Sequence, residues 1–271
     1  TVTILDSFKP KETFQVLIDE KVTIFCGVPS MFSVLLKSRQ QVVFPHLKFA
    51  FSGGDSIPAD TLLAFENKFN VPIIEGYGLS EASPIVCLNP IHGKRKIKSI
   101  GLPIPGVEIK IVNDDGQEVK CGETGELIAK GPNIMQGYYN RTEETAAALK
   151  GGWLHTGDLA YQDQDGFVFI VGRKKDLIIT AGFNVYPREV ELALEEHPTV
   201  AEAAVIGLPH PIKGQIVKAF IIPEEGHKPD KQELFHFLKT RLSSYKIPEI
   251  FAFVDELPRS ASGKVMKRLL K

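Results

Sequence analysis

The chain has 271 residues, of which 43% are hydrophobic and 24% are charged, and its formal net charge is −1. This length favours two or more domains, and the balanced charge gives no electrostatic reason to expect nucleic acid as a partner. No apolar run approaches the roughly 20 residues of a transmembrane helix, so no membrane-spanning segment is predicted.

The first part of the chain alternates short β-branched runs with amphipathic stretches. Strands are predicted at residues 22–25, 47–51 and 71–74, and helices at residues 30–37 and 59–69. Strands that alternate with helices predict a parallel or mixed sheet covered by helices. Residues 1–96 are therefore interpreted as an α/β subdomain.

The middle of the chain consists of short strands separated by turns. Strands are predicted at residues 107–112, 125–129 and 167–171, with turns at residues 113–116 and 165–166. Because Asp-Gly between apolar runs is a strong hairpin signal, residues 97–174 are predicted to form an antiparallel β-subdomain.

A run of charged residues at 173–176 is interpreted as a domain boundary, because solvated charge has little reason to lie inside a core. Beyond it, helices are predicted at residues 187–197 and 231–242, and strands at residues 200–206 and 218–222. Residues 175–271 are therefore predicted to form a small α+β domain. The predicted fold class of the chain is α/β plus α+β.

The sequence EGYGLSE at residues 75–81 directly follows a predicted strand. The glycines beside Tyr77 would let the backbone approach a ligand, the ring offers a stacking face, and Glu81 could hold a divalent cation. The alternative is a tight turn with a packed tyrosine.

The sequence SGGD at residues 52–55 lies at a predicted strand-to-helix turn, where free amides could face an anion or a flat ring. The alternative is that Asp55 or Ser56 caps the next helix. A G-x-x-x-x-G-K-[ST] phosphate-binding motif is absent from the sequence.

Two later segments carry candidate residues. In WLHTGD at residues 153–158, the carboxylate of Asp158 on a turn could accept hydrogen bonds from a ribose diol, or the segment could be an Asx-turn that closes a loop. Residues 259–271 contain five Lys or Arg and no acidic residue. There Gly263 would free the loop of Lys264 to reach a phosphate, and the alternative is a frayed, solvated basic end.

The three cysteines, Cys26, Cys87 and Cys121, stand far apart, so neither a disulfide framework nor a zinc site is predicted. This pattern is typical of a reducing compartment, and we expect a cytoplasmic protein, with peripheral membrane association left open. The sequence begins without Met or a signal-peptide pattern, which indicates that it starts inside a longer protein.

In their order, these motifs resemble those of the acyl-adenylate-forming superfamily, which contains acyl-CoA synthetases, peptide-synthetase adenylation domains and firefly luciferase. The further matching segments are GEL at residues 125–127, GYY at 137–139, TGD at 156–158, the run from Gly172 through residues 182–187 to Glu189, and Gly263-Lys264. Peptide-synthetase domains usually have Pro where Leu79 stands. The motif is thus similar to that of acyl-CoA synthetases, and it suggests a medium- or long-chain fatty acid as substrate.

The resemblance implies that ATP first converts the acid to acyl-AMP, with Mg²⁺ bound, and that coenzyme A then displaces AMP as the second substrate. It implies adenine contacts at Ser52, Gly53, Gly54 and Tyr77, and nucleotide binding at Gly78. It also implies that Ser80 and Glu81 bind phosphate and Mg²⁺, and that Glu81 is a catalytic residue. It implies ribose contacts at Asp158 and Arg173, a catalytic bridge between carboxylate and α-phosphate at Lys264, a hinge at Lys175, and a place for Gly182 beside the pantetheine tunnel.

The Ser/Thr/Gly-rich phosphate-binding loop of that superfamily has no counterpart in this sequence. We therefore expect the chain to be the C-terminal portion of a fatty acid:CoA ligase, with part of the large N-terminal domain followed by a mobile C-terminal domain. Without the missing N-terminal half of the same enzyme, the chain is expected to be inactive in adenylation. Two alternatives remain: an aryl- or other acid-adenylating enzyme, and a non-catalytic nucleotide-binding module.

Overall fold

The computed structural model describes residues 1–40, 42–260 and 264–271. The described residues group into two compact units, one of residues 1–156 with 161–170 and one of residues 157–160 with 171–271. Each unit contains helices and strands around an apolar core of its own. This architecture confirms the predicted combination of α/β and α+β structure.

The first unit opens with a five-stranded sheet and three helices. The strands, in both chain order and spatial order, are β1 (Ile24–Gly27), β2 (Phe49–Ser52), β3 (Ile73–Gly78), β4 (Ile85–Leu88) and β5 (Leu102–Pro103). The helices are α1 (Pro10–Asp19), α2 (Pro29–Lys37) and α3 (Ala59–Phe69). β1, β2 and β3 are parallel, whereas β4 is antiparallel to β3 and β5. The predicted mixed sheet is therefore confirmed, and α3 has the predicted bounds.

A core rich in phenylalanine joins these helices to the sheet. Phe32 of α2 and Phe65 of α3 meet edge to face, with ring centroids 5.1 Å apart, and both side chains are buried. Pro29 occupies the first turn of α2, where a missing N–H costs no hydrogen bond. Asn70 ends α3 in a left-handed conformation with φ 53°. This packing fixes β2 and β3, whose carboxyl ends carry candidate site residues.

A second sheet follows. Its strands are β6 (Glu108–Val112), β7 (Gly125–Lys130), β8 (Leu149–Lys150), β9 (Trp153–Gln162) and β10 (Val168–Arg173), and the helix α4 (Thr142–Ala148) precedes β8. In space the order is β10, β9, β7, β6, with β8 against β9. The pairs β6–β7 and β8–β9 are antiparallel. Both β9 and β10 contribute residues to each of the two units.

The second unit is built on a third sheet with two helices. Its elements are β11 (Ile178–Thr180), β12 (Phe183–Val185), α5 (Pro187–Glu195), β13 (Val200–His210), β14 (Gly214–Pro223), α6 (Lys231–Lys239) and β15 (Ile250–Phe253). β14 pairs with β11 and β13 in antiparallel fashion and with β15 in parallel. The Asp230 carboxylate caps α6 by accepting hydrogen bonds from the N–H groups of Gln232 and Glu233.

The predicted bounds of β13, β14 and α6 are wrong. β13 and β14 extend well beyond residues 200–206 and 218–222, because they pair from Val200 with Pro223 to His210 with Gly214. This ladder overrides the local preference of Gly207 for irregular structure. α6 ends at Lys239 instead of residue 242. Within the described ranges, no helix is both long enough and apolar enough to cross a membrane.

Candidate active site

The carboxyl end of β2 places Ser52 beside Glu75 of β3. The two residues are register partners in the parallel ladder, and their side chains are buried, with 0% and 4% exposed. Neither Ser52 Oγ nor Glu75 Oε2 has a hydrogen-bond partner in the part of the chain that the structure describes. Glu75 Oε1 accepts a hydrogen bond of 3.3 Å from the N–H of Ile57. Two buried polar atoms without partners therefore lie at the base of the loop predicted to contact adenine.

Sequence reasoning assigned no role to Glu75, although this residue opens the EGYGLSE motif. Burial raises the pKa of Glu75 from 4.5 to about 7, and the charge of Asp55 adds to this effect, whereas the N–H of Ile57 lowers the pKa. The one local signal was a carboxylate directly after the apolar residues Ile73 and Ile74, which indicates a buried acid. Glu75 consequently changes its charge near neutral pH.

The loop after β2 begins with Gly53 and Gly54. Gly54 has φ 85°, a conformation that favours glycine. The alternative in which Asp55 or Ser56 caps the next helix is wrong, because Pro58 occupies the N-cap of α3 and no side chain caps that helix. Asp55 Oδ1 instead accepts a hydrogen bond of 2.8 Å from the N–H of Ser56. The loop therefore lies between β2 and α3, as predicted, but neither Asp55 nor Ser56 is the residue that caps the helix.

Tyr77 lies in β3 between two glycines that are required for packing inside the chain. A Cβ on Gly78 would lie 1.8 Å from the carbonyl oxygen of Pro84, and a Cβ on Gly76 would lie 2.9 Å from the ring of Phe51. Gly76 and Gly78 thus allow β3 to pack closely against Phe51 and Pro84. From the sequence, these glycines were instead explained by the close approach of a ligand. Tyr77 is half-buried, and its stacking on adenine stays a prediction.

Ser80 and Glu81 lie in a short 3-10 turn directly after β3. Glu81 is half-buried, and its Oε1 accepts a hydrogen bond of 2.8 Å from the hydroxyl of Tyr138. Among the described residues, no group of three or more His, Cys, Asp or Glu could hold a metal ion. A single carboxylate nevertheless fits Mg²⁺, which keeps several waters and is usually bound by one or two carboxylates with substrate phosphates. Glu81 therefore suits a metal that arrives with a nucleotide.

Asp158 and Arg173, both predicted to hold a ribose, are in contact within the second unit. Arg173 Nε lies 3.0 Å from Asp158 Oδ1. Asp158 is buried, whereas half of the Arg173 side chain is exposed. The predicted turn at residues 156–158 is wrong, because these residues lie inside β9. Their place in a ten-residue strand overrides the local turn preference of Gly-Asp.

Lys175 is exposed in the 3-10 turn Lys174–Asp176, directly after β10. Gly182 joins β11 to β12 in a two-residue turn with Ala181, and their φ angles are 83° and 49°. A type I′ hairpin requires positive φ at both central positions. The turn itself therefore favours glycine at position 182, independently of any ligand. A Cβ at this position would meet nothing within 4 Å.

Lys264 is exposed and is held by its backbone to Ser260. The N–H of Lys264 donates to Ser260 Oγ at 3.2 Å, and the N–H of Ser260 donates to the carbonyl oxygen of Lys264 at 2.8 Å. Gly263, which was predicted to free this loop, lies outside the described residues. The candidate residues at positions 52–81 belong to the first unit, and those at positions 158, 173, 175, 182 and 264 belong to the second.

Two protein-family models match the sequence. The model of the AMP-binding enzyme matches residues 1–139, and that of the AMP-binding enzyme C-terminal domain matches residues 189–264. The chain is 43% identical over 270 residues to a long-chain-fatty-acid–CoA ligase of Bacillus subtilis, an alignment that covers 98% of the chain and 48% of the ligase. It is 37% identical to a feruloyl-CoA synthase of Amycolatopsis, which covers 98% of the chain and 55% of the synthase.

A solved structure shows the same likeness in three dimensions. ATP-bound MatB from Rhodopseudomonas palustris matches with a TM-score of 0.93 at 35% sequence identity, over 98% of this chain and 53% of MatB. The chain thus spans about half the length of the curated relatives it matches. One family match ends before residues 173–176, the predicted boundary, and the other begins after them.

Proposed function

The chain belongs to the AMP-binding enzyme family, and on this premise we propose that it is part of a ligase that joins a fatty acid to coenzyme A through acyl-AMP. The observation that carries the proposal is the 43% identity to a long-chain-fatty-acid–CoA ligase over 98% of the chain. In the first step, a carboxylate oxygen attacks the α-phosphorus of ATP and pyrophosphate leaves. In the second step, the sulfur of coenzyme A attacks the acyl carbonyl carbon, AMP leaves, and the thiol proton passes to solvent.

The adenine is proposed to bind at the carboxyl ends of β2 and β3. Its contacts are Ser52, Gly53, Gly54, Tyr77 and the backbone at Gly78, with the Tyr77 ring against the face of the base. The buried Ser52 hydroxyl, which lacks a partner among the described residues, supports this assignment. Most buried polar atoms in folded proteins have a hydrogen-bond partner, and a bound nucleotide would supply one here. The positive φ of Gly54 also turns the loop backbone two residues after that serine.

The ribose is proposed to bind at Asp158 and Arg173. Because Asp158 is buried and pairs with Arg173, its carboxylate is held in one orientation and remains an acceptor for ribose hydroxyl groups. The exposed part of the Arg173 guanidinium supplies donors at the same place. The pairing of an acceptor with donors suits a diol, which both donates and accepts hydrogen bonds.

Charge stabilisation in the first step is assigned to Lys264, Ser80 and Glu81. The ammonium of Lys264 would bridge the attacking carboxylate and the α-phosphate, where negative charge gathers in the transition state. Ser80 would bind phosphate oxygens, and Glu81 would bind Mg²⁺ with the nucleotide. When bound, Mg²⁺ neutralises the charge of the departing pyrophosphate. The exposure of the Lys264 side chain supports this role, since it leaves the ammonium accessible to substrate.

The second step is proposed to use other positions of the C-terminal domain. Lys175 would act as the hinge about which this domain turns after adenylation. Gly182 would then line the tunnel for the pantetheine arm of coenzyme A. The tight turn at Ala181 and Gly182 supports this proposal, because it keeps the tip of the β11–β12 hairpin free of bulky side chains.

A second candidate function is the ligation of an aromatic acid. It is favoured by the 37% identity to a feruloyl-CoA synthase over 98% of the chain. The two candidates share all of the nucleotide chemistry and differ in the acid, so a comparison of acids separates them.

The test is an assay of acyl-CoA, AMP and pyrophosphate with the full-length protein, ATP, coenzyme A and a panel of acids. We expect the three products in equal amounts and the highest kcat/KM for medium- or long-chain fatty acids. A higher kcat/KM for ferulate and related acids would establish the aromatic candidate. Release of ADP, or nucleotide binding without turnover on any acid, would contradict both.

A further inference from the structure

A loop formed by residues 131–138 is attached to the turn that carries Glu81. The side-chain amide of Asn133 donates to the carbonyl oxygens of Ala82 and Ile85, both at 2.8 Å. The N–H of Met135 donates to the carbonyl oxygen of Glu81, also at 2.8 Å. Three hydrogen bonds therefore fix the backbone on which the Glu81 carboxylate stands.

The same loop also contacts the carboxylate itself. The hydroxyl of Tyr138 donates to Glu81 Oε1 at 2.8 Å. A phenol is protonated at neutral pH, so Tyr138 acts as the donor in this hydrogen bond. No described residue donates a hydrogen bond to Glu81 Oε2. One oxygen is thus oriented by the protein, and the other is available to a cation.

Tyr138 is held in place by α4. Its N–H donates to Thr145 Oγ1 at 2.9 Å, and that hydroxyl donates to the carbonyl oxygen of Arg141 at 2.7 Å. A Cβ at the preceding Gly137 would lie 2.6 Å from the Thr145 methyl group, so the close approach of loop and helix requires glycine there. A continuous set of hydrogen bonds leads from α4 through Tyr138 to Glu81.

We propose that Tyr138 is a positioning residue for the metal-binding carboxylate of Glu81, which its phenol holds in the orientation that receives the Mg²⁺–nucleotide complex. This inference rests on the proposed function, in which Glu81 binds Mg²⁺. A carboxylate held before the metal arrives loses less side-chain freedom on binding, and partners of this kind alter metal affinity by about 10-fold or more.

The test compares Tyr138→Phe with Tyr139→Phe in the full-length protein. Tyr139 is the matched control, because it is the next residue and 91% exposed, with no hydrogen bond of its side chain to the described residues. Mn²⁺ binding is measured by electron paramagnetic resonance in the presence of a non-hydrolysable ATP analogue. The Mg²⁺ dependence of pyrophosphate exchange is measured in parallel.

We expect Tyr138→Phe to weaken Mn²⁺ binding about 10-fold and to raise the Mg²⁺ requirement similarly, at unchanged melting temperature. Tyr139→Phe should match the wild type. Thr145→Val, which removes the acceptor for the Tyr138 N–H, should shift both quantities in the same direction by less. This second variant also keeps the test decisive if Tyr138→Phe unfolds.

Equal Mn²⁺ affinity in the two phenylalanine variants would overturn the inference, as would the absence of nucleotide-dependent Mn²⁺ binding in the wild type. Failure of the proposed function gives a different result. In that case the wild type shows no acid-dependent exchange, while the difference in Mn²⁺ binding between the two variants persists.

Discussion

The carboxyl group of Glu75 links the strand that leads to Tyr77 with the loop predicted to contact adenine. It accepts the N–H of Ile57 while its second oxygen is buried without a partner among the described residues. Burial is the main reason that its pKa rises to about 7. The folded protein therefore prefers the neutral acid, and this preference stabilises the fold at acidic pH and is lost as the pH rises through 7.

Replacement of Glu75 by Gln removes this pH dependence. We expect the difference in unfolding free energy between Glu75→Gln and the wild type to shift by about 1–3 kcal/mol in favour of the variant from pH 5 to pH 8. The reason is that only the wild type has to bury a charge at pH 8. Urea denaturation at the two pH values measures the difference. Glu20→Gln, at an exposed position after α1, is the control, and an equal pH effect in both variants would refute the prediction.

Gly78 is required by its contact with Pro84. Because an added Cβ would lie 1.8 Å from a backbone oxygen, which cannot rotate away, we expect Gly78→Ala to destabilise the fold by at least about 2 kcal/mol. Gly27→Ala is the control, since its Cβ would meet the Phe25 ring at 3.3 Å, and a side chain can adjust. Thermal unfolding compares the two variants. Similar melting temperatures would contradict the prediction, because they would show that the contact between residue 78 and Pro84 accommodates a Cβ.

Among the helices, α2, α3, α5 and α6 were predicted from the sequence, whereas α1 and α4 were not. The surroundings of the site residues were also less predictable. α3 has a clear apolar periodicity, and its predicted bounds are those observed. Residues 156–158 were predicted as a turn because Gly and Asp favour turns locally, but they lie within the ten-residue strand β9. The Tyr138–Glu81 hydrogen bond joins residues 57 positions apart, and no local pattern could have indicated it.

The C-terminal segment that carries Lys264 is attached to α5 by Lys267. Lys267 Nζ lies 2.5 Å from Glu191 Oε1, and Glu191 is buried with 4% exposed. Glu191 also accepts the N–H of Val205 at 2.9 Å. The ion pair thus fixes the chain three residues beyond Lys264.

We expect Lys267→Met to destabilise the protein by about 1–3 kcal/mol, because it leaves a buried carboxylate with one partner fewer. It should also lower the kcat of adenylation by loosening the Lys264 segment. Urea denaturation and pyrophosphate exchange measure the two effects. Lys271→Met is the control, because the hydrogen bond at that residue uses its backbone oxygen and not its side chain. No difference between the two variants would show that the anchor is dispensable.

On the scale of the whole molecule, the candidate residues are divided between the two units, and the chain spans about half the length of its curated relatives. The fold class could be predicted from the succession of strand and helix patterns. The division at residues 96 and 174 stays a prediction. The chain alone is proposed to be inactive in adenylation, since its sequence has no Ser/Thr/Gly-rich loop for the ATP phosphates.

The most direct test is the exchange of labelled pyrophosphate into ATP by the full-length protein, with and without a long-chain fatty acid. The prediction is exchange that depends on the fatty acid, that falls at least about 100-fold in Lys264→Ala, and that is absent with residues 1–271 alone. Fatty-acid-independent exchange, full activity of Lys264→Ala, or strong exchange by residues 1–271 alone would contradict it.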